Sequence, residues 1–201
     1  MISIVIQAGG RSSRMGQDKA LMPFLGRPLI ERQVELLSRL AGELLVITNR
    51  PEAYTFLGLP LFPDLLPGTG PLGGLYTALS VASRPLVAVI ACDMPFVSAD
   101  LLRAQRDLLE RESVDVVIPR SPEGLEPLHA LHSKDTCLAA VRAALDAGER
   151  KVIAWLPAVR SRVMSQEEVA QVDPQFRSFV NVNSPEEFRQ AEDLARKLAK
   201  T

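Results

Sequence analysis

The chain has 201 residues, 47% of them hydrophobic and 23% charged, with a formal net charge of −1. Those values exclude a disordered segment and a long coiled coil, and the balanced charge excludes a globally basic nucleic-acid binder. Two cysteines, Cys92 and Cys137, are too few for a disulfide framework and place the chain in a reducing compartment. No apolar run reaches the ~18 residues of a membrane span. Met1 to Ile6 has neither a basic leader nor a small-residue cleavage site, so it reads as a first strand of a cytoplasmic protein that contacts no membrane.

The elements follow in chain order. Ile2 to Ile6 is a β-branched run, and Ala8 to Gly16 is glycine-rich. Pro28 to Leu40 carries an apolar helical stripe closed by Gly42. Leu44 to Thr48 predicts a second strand, Pro51 to Leu57 a short helix, and Leu59 to Phe62 a third, weaker strand. A loop over Pro63 to Gly74 leads to a helix at Pro71 to Ser83. Leu86 to Ala91 is almost wholly apolar, as in a strand covered on both faces. Ser98 to Glu112 predicts a helix and Val114 to Ile118 a fifth strand. Strands alternating with helices argue a mostly parallel sheet with helices on both faces.

Beyond residue 119 the pattern changes. Pro119 to Gly124 is a turn-rich tip, and Glu126 to His132 predicts an antiparallel return strand. Lys134 to Ala147 is helical, while Val159 to Met164 and Phe179 to Val182 read as short strands of an antiparallel C-terminal extension. Ser184-Pro-Glu-Glu187 is a capping box that opens the last helix. With no linker, repeat or low-complexity stretch, residues 1–201 read as one α/β domain.

Chemistry concentrates at the predicted strand ends. Gln7-Ala-Gly-Gly-Arg-Ser-Ser-Arg-Met-Gly-Gln-Asp-Lys19 follows the first strand, where open α/β sheets bind ligands. Its glycines permit close approach to a phosphate, and Arg11, Arg14 and Lys19 supply three cations within nine residues. The segment is neither a P-loop nor a dinucleotide fingerprint, since Gly16 precedes Gln17 and the third glycine is misplaced. Asp93 ends the fourth strand and is the natural carboxylate for magnesium, which asks for one or two carboxylates plus phosphate oxygens. Asp64 is a second carboxylate near a strand end, or else a turn aspartate after Pro63. Gly68 to Gly74 holds five glycines and prolines in seven residues, ahead of a helix N-terminus. His129, His132 and the cysteines match no common zinc spacing, and Cys92 reads as a small core residue. Aromatic residues, at 5%, give no stacking platform for nucleic acid.

Together these motifs resemble the molybdenum cofactor guanylyltransferase family, within the Rossmann-like nucleotidyltransferases. The resemblance spans almost the whole chain. It runs from Gly9-Gly10-Arg11 with Asp18-Lys19, through Gly26-Arg-Pro-Leu29, Gly70-Pro-Leu-Gly-Gly74 and Cys92-Asp-Met-Pro95, to Glu126-Pro-Leu-His129, Gly148-Glu-Arg150 and Asn181-Val-Asn-Ser-Pro-Glu186. It implies a monomeric enzyme that transfers GMP from GTP to the terminal phosphate of molybdopterin with Mg2+, for delivery to a molybdoenzyme or a cofactor-handling protein. By resemblance Gln7, Ala8 and Gly9 begin the GTP loop, Lys19 contacts its phosphates, Asp64 contacts the nucleotide, and Asp93 contacts GTP and the metal, while Gly10, Arg14 and Gly73 are candidates from the glycine-rich and basic segments themselves. Asn181 and Asn183, two residues apart, would share one face toward the pterin or its phosphate. The chain departs from the family at Gln7, commonly leucine, and at Ile47, commonly asparagine. The alternatives are a cytidylyltransferase using CTP and a nucleotide-binding homologue without catalysis.

Overall fold

The computed structural model describes residues 1–8 and 18–199. Its centre is a mixed sheet. The strands are β1 (Ile2–Gln7), β4 (Ala41–Ile47), β5 (Leu61–Phe62), β6 (Leu86–Ala91), β7 (Val116–Ser121), β9 (His129–Ser133) and β10 (Ser161–Met164). The two-residue strands β2 (Pro23–Phe24) and β3 (Arg27–Pro28) form a separate hairpin, and β8 (Gly124–Leu125) pairs with β7. The helices are α1 (Leu29–Leu37), α2 (Gly70–Val81), α3 (Ala99–Glu112), α4 (Lys134–Asp146), α5 (Gln166–Ala170) and α6 (Pro185–Leu198).

Strand order across the sheet is β10-β7-β9-β6-β1-β4-β5. β1 pairs in parallel with both β4 and β6. The chain therefore builds outward from β1 to β5 on one side, then returns to the other side of β1 with β6. That reversal opens a crevice above the carboxyl ends of β1 and β6, the ligand position of doubly wound sheets. In register, Gln7 faces Ala91. The Cys92 N–H donates to the Gln7 carbonyl at 3.1 Å, so Asp93 stands beside the start of the glycine-rich segment.

Alternation along β1 explains why it is central. Ile2, Ile4 and Ile6 pack with Ile30 and Leu37 of α1 and Leu101 and Leu108 of α3. Val5 points the other way, among Leu72, Leu75 and Leu79 of α2 and Val141 of α4. Each such fully buried aliphatic side chain contributes about 1.5–3 kcal/mol. A third cluster, Phe24, Leu29, Phe96, Val182, Phe188 and Ala191, fastens α6 to the β2–β3 hairpin and to the turn after β6.

Two details differ from the reading of the sequence. β9 is antiparallel, as expected for residues 126–132, and sits between β6 and β7, but β10, expected in an antiparallel extension, is parallel to β7. Residues 179–182 form no strand. Arg177–Phe179 is a 3-10 turn, and the Val182 N–H goes to the Asp93 carbonyl at 3.0 Å instead of to a sheet ladder. Ser184 does open α6 through a capping box with Glu187.

Candidate active site

Asp93 lies in the turn after β6, and several peptide groups of that turn are held from outside. Gln33, fully buried on α1, donates from Nε2 to the carbonyls of Ala91 at 2.8 Å and Met94 at 2.9 Å. Arg32 donates from Nε to the Pro95 carbonyl at 2.8 Å, with its guanidinium 5.7 Å from the ring centres of both Phe24 and Phe96. With Val182 and Gln7 binding residues 93 and 92, the Asp93 backbone has little freedom left.

Lys19 begins a 3-10 turn capped by Asp18, whose carboxylate accepts from the Ala20 N–H at 3.2 Å. Asp18 is itself clamped. The buried Tyr54 hydroxyl donates to it at 2.7 Å, and the Arg50 guanidinium pairs with it. Burial, and then the neighbouring Asp18 carboxylate, hold the Tyr54 phenol far above its usual range, so it stays a donor. The same hydroxyl lies 3.5 Å from the Ala8 carbonyl, which brings together the residues on either side of the segment 9–17.

From this base Lys19 reaches two groups. Its Nζ donates to Asn183 Oδ1 at 2.7 Å and stands 3.6 Å from Asp93 Oδ2. Both charged side chains are mostly buried. Burial raises the Asp93 carboxyl above its ordinary value, and Lys19 offsets this only in part. Cys92, next in the chain, is pushed up to about 12 by burial and by the Asp93 and Asp18 carboxylates, so it is a neutral thiol and no nucleophile.

Asn181 and Asn183 both line a cavity of about 430 Å³ that borders this group. Their sharing of one surface comes from an extended segment rather than from a strand. Glu187, the capping carboxylate of α6, accepts from the Asn183 N–H at 2.6 Å and fixes that residue beside Lys19.

The remaining sequence candidates fall elsewhere or have other work. Gly9, Gly10, Arg11 and Arg14 lie outside the described residues. Ala8 is buried and donates its N–H to the Ile47 carbonyl at 2.8 Å. The Ile47 side chain is buried among Leu72 and Leu75, turned into the core and not toward the crevice. Asp64 closes a turn of its own, with Oδ1 accepting from the Leu66 N–H at 3.1 Å and from the Thr77 hydroxyl at 2.8 Å. Gly73 is required by close packing, since a Cβ there would stand 1.7 Å from Thr69 Oγ1. At Gly74 a Cβ would stand 2.8 Å from Gln7 Oε1, so the Gln7 amide lies directly on the α2 backbone, with its Nε2 buried and unpartnered. His129 and His132, three apart on β9, point to opposite faces, toward Phe179 and Trp155 respectively. They do not converge on a metal.

Gln33, Arg32, Tyr54 and Glu126 are missing from the sequence candidates. Gln33 carried a usable signal, a polar residue at the buried register of a helix whose neighbours at Leu29, Ile30 and Leu37 are apolar.

Comparison with known proteins places this geometry in context. The model of the family described as "MobA-like NTP transferase domain" matches residues 4–191. A protein of Pelotomaculum thermopropionicum named "Probable molybdenum cofactor guanylyltransferase" is 38% identical over 191 residues, covering 95% of this chain and 92% of that one. The molybdenum cofactor guanylyltransferase of Syntrophotalea carbinolica is 33% identical over 186 residues, or 92% of this chain and 88% of its own. Among solved structures, molybdopterin-guanine dinucleotide biosynthesis protein A from Archaeoglobus fulgidus superposes with a TM-score of 0.83 at 25% identity, covering 97% of this chain and 99% of that one.

Proposed function

The chain belongs to the MobA-like NTP transferase domain family, and from that membership we propose that it transfers GMP from GTP to the terminal phosphate of molybdopterin. Pyrophosphate leaves, and the guanine dinucleotide form of the molybdenum cofactor remains. The observation that carries this reading is Lys19, whose ammonium touches Asn183 at the edge of one cavity and Asp93 at the switch-point crevice. A single cation thus stands between a nucleotide site and a second-substrate site.

The chemistry asks for little more than that. A phosphate monoester has a second pKa near 6, so its oxygen is mostly anionic at neutral pH and needs no general base. That oxygen attacks the α-phosphorus of GTP, a new P–O bond forms, and the bond to the bridging oxygen of the β-phosphate breaks. The work of the protein is to bring two anions together and to stabilise charge on the departing pyrophosphate. Lys19 serves this from between the two sites. The segment 7–10 would supply loop amides, Arg14 a further cation, and Asp64 and Gly73 the wall of the nucleotide site. Asn181 and Asn183 would bind the pterin substrate through their amides.

Asp93 fits a magnesium ion. It is a mostly buried hard-oxygen donor, raised by burial above its ordinary value and only partly offset by Lys19. No group of three or more acidic, histidine or cysteine side chains gathers to hold a metal among the described residues. That matches an ion taking most of its ligands from phosphate oxygens and water. Held by Asp93, such an ion would contribute Lewis-acid charge at the phosphates. One sheet with both faces covered supports reading residues 1–201 as one nucleotidyltransferase domain. We place it in the cytoplasm, acting as a monomer.

The test is transfer itself. Purified protein is incubated with Mg2+, molybdopterin and each α-labelled nucleoside triphosphate in turn, and the pterin dinucleotide is isolated. Label is expected from GTP. Label from CTP instead would make the protein a cytidylyltransferase, and GTP binding without product would make it a non-catalytic homologue.

A further inference from the structure

The cavity beside Asn183 has a construction that the transfer reaction alone does not explain. One wall is aromatic, formed by Phe176 and Phe179 with ring centres 6.5 Å apart. Phe176 holds φ at +52°, a left-handed conformation uncommon for a bulky side chain. On the rim stands Glu126. Its Oε1 accepts from the Ser121 hydroxyl at 2.6 Å, and the carboxylate is half-buried, with no basic side chain paired to it among the described residues. Of the other acids lining the cavity, Glu187 is engaged as a cap by two peptide N–H groups and Glu123 is exposed.

A carboxylate offers about four acceptor positions. Ser121 takes one, which leaves both oxygens able to accept a parallel pair of N–H donors, the arrangement that makes charged hydrogen bonds strong and selective. Such a pair, on a flat ring, is what a 2-amino-4-oxo-pyrimidine edge presents.

We propose that Glu126 is a specificity-determining residue that reads the 2-amino and N3–H edge of the pterin ring, with the ring on the Phe176 and Phe179 wall and its phosphate arm toward Lys19. This rests on the GMP-transfer reading given above and names the group that recognises the acceptor. Burial pushes the Glu126 carboxyl upward, the Ser121 hydrogen bond opposes that, and the neighbouring Glu123 carboxylate adds to the rise.

The test compares 6-hydroxymethylpterin with 6-hydroxymethyl-lumazine, in which oxygen replaces the 2-amino group, as inhibitors of GMP transfer to molybdopterin. The wild-type protein is expected to bind the pterin at least tenfold tighter, a comparison that needs no variant. Glu126→Gln keeps an acceptor for Ser121 but turns an N–H toward the ring donors. It is expected to erase the preference and to raise KM for molybdopterin about ten- to hundredfold, while KM for GTP stays within twofold. Equal inhibition of the wild type by both rings, or a Glu126→Gln protein that still prefers the pterin, overturns the assignment of Glu126 and leaves the transferase reading intact. A wild-type protein that forms no dinucleotide overturns the underlying reading instead.

Discussion

Lys19 is placed by its neighbours. Asp18 caps its turn, Tyr54 and Arg50 fix Asp18, and the ammonium is left between Asn183 and Asp93. A charge held in this way needs little rearrangement when negative charge builds up on the reacting phosphates. Removing one preorganised donor of that kind costs about 10²–10³ in rate. Lys19→Ala is therefore expected to lower kcat for dinucleotide formation by that factor in a folded protein, and activity within twofold of the parent would exclude the role. Sequence alone makes Asp93 legible because it follows an apolar run at a strand end, Lys19 because it is one of three cations in a glycine-rich segment, and Asn183 because it stands two residues from Asn181. Asp64 and Gly73 carry structural work as well. One closes a turn with Leu66 and Thr77 and the other packs against Thr69, roles that no local pattern separates from a ligand contact. Glu126 shows in the sequence only as part of the Glu126-Pro-Leu-His129 motif, and its surroundings of Ser121, Phe176 and Asn183 come together only through the fold.

At the level of elements, α1 does more than cover the sheet. Four of its residues, Leu29, Ile30, Gln33 and Leu37, are buried, and Gln33 is the one that reaches the turn carrying Asp93. Gln33→Leu preserves volume and apolar packing but strands the carbonyls of Ala91 and Met94. Each stranded buried carbonyl costs about 1–3 kcal/mol. The expected result is a lower midpoint of urea unfolding, together with a fall in kcat as the turn loosens around Asp93. Unchanged stability would mean that water or a shifted backbone satisfies both groups. The central strands are readable to within a few residues because short, nearly continuous apolar runs are written locally in Ile2–Gln7 and Leu86–Ala91. The position of β9 is not. A short run such as His129–Ser133 announces a strand, but its insertion between β6 and β7 is set by long-range pairing that no local pattern records. For the same reason residues 179–182 imitate a strand, yet spend a backbone donor on Asp93.

For the molecule as a whole, one sheet carries two cores, and β9 threads one histidine into each. The chain has two histidines, His129 and His132, and both are buried. His132 turns Nδ1 to the Val87 carbonyl at 3.1 Å, so that nitrogen carries the proton. His129 lies with Nδ1 3.4 Å from Gln105 Nε2, which also donates to the His129 carbonyl at 2.9 Å. Burial, the largest influence on each ring, lowers both imidazoles from 6.5 to about 4. Between those values the unfolded chain binds protons that the folded protein refuses, so stability falls as the pH drops from 6.5 toward 4. Each histidine contributes a slope of up to about 1.4 kcal/mol per pH unit in that window. Asp115 and Glu43, lowered by hydrogen bonds, lose their contribution only at more acidic pH, while Asp93 and Glu126, raised by burial, act in the opposite direction. A difference measurement removes all four. In His132→Asn the side-chain Nδ2 can donate to Val87 as the ring Nδ1 did, but nothing titrates at that position. Urea unfolding of both proteins at pH 7.5, 6 and 5 is expected to show the parent losing its advantage over the variant as the pH falls, by as much as about 1.4 kcal/mol per unit. Parallel curves for the two proteins would show that His132 takes up its proton without leaving the fold.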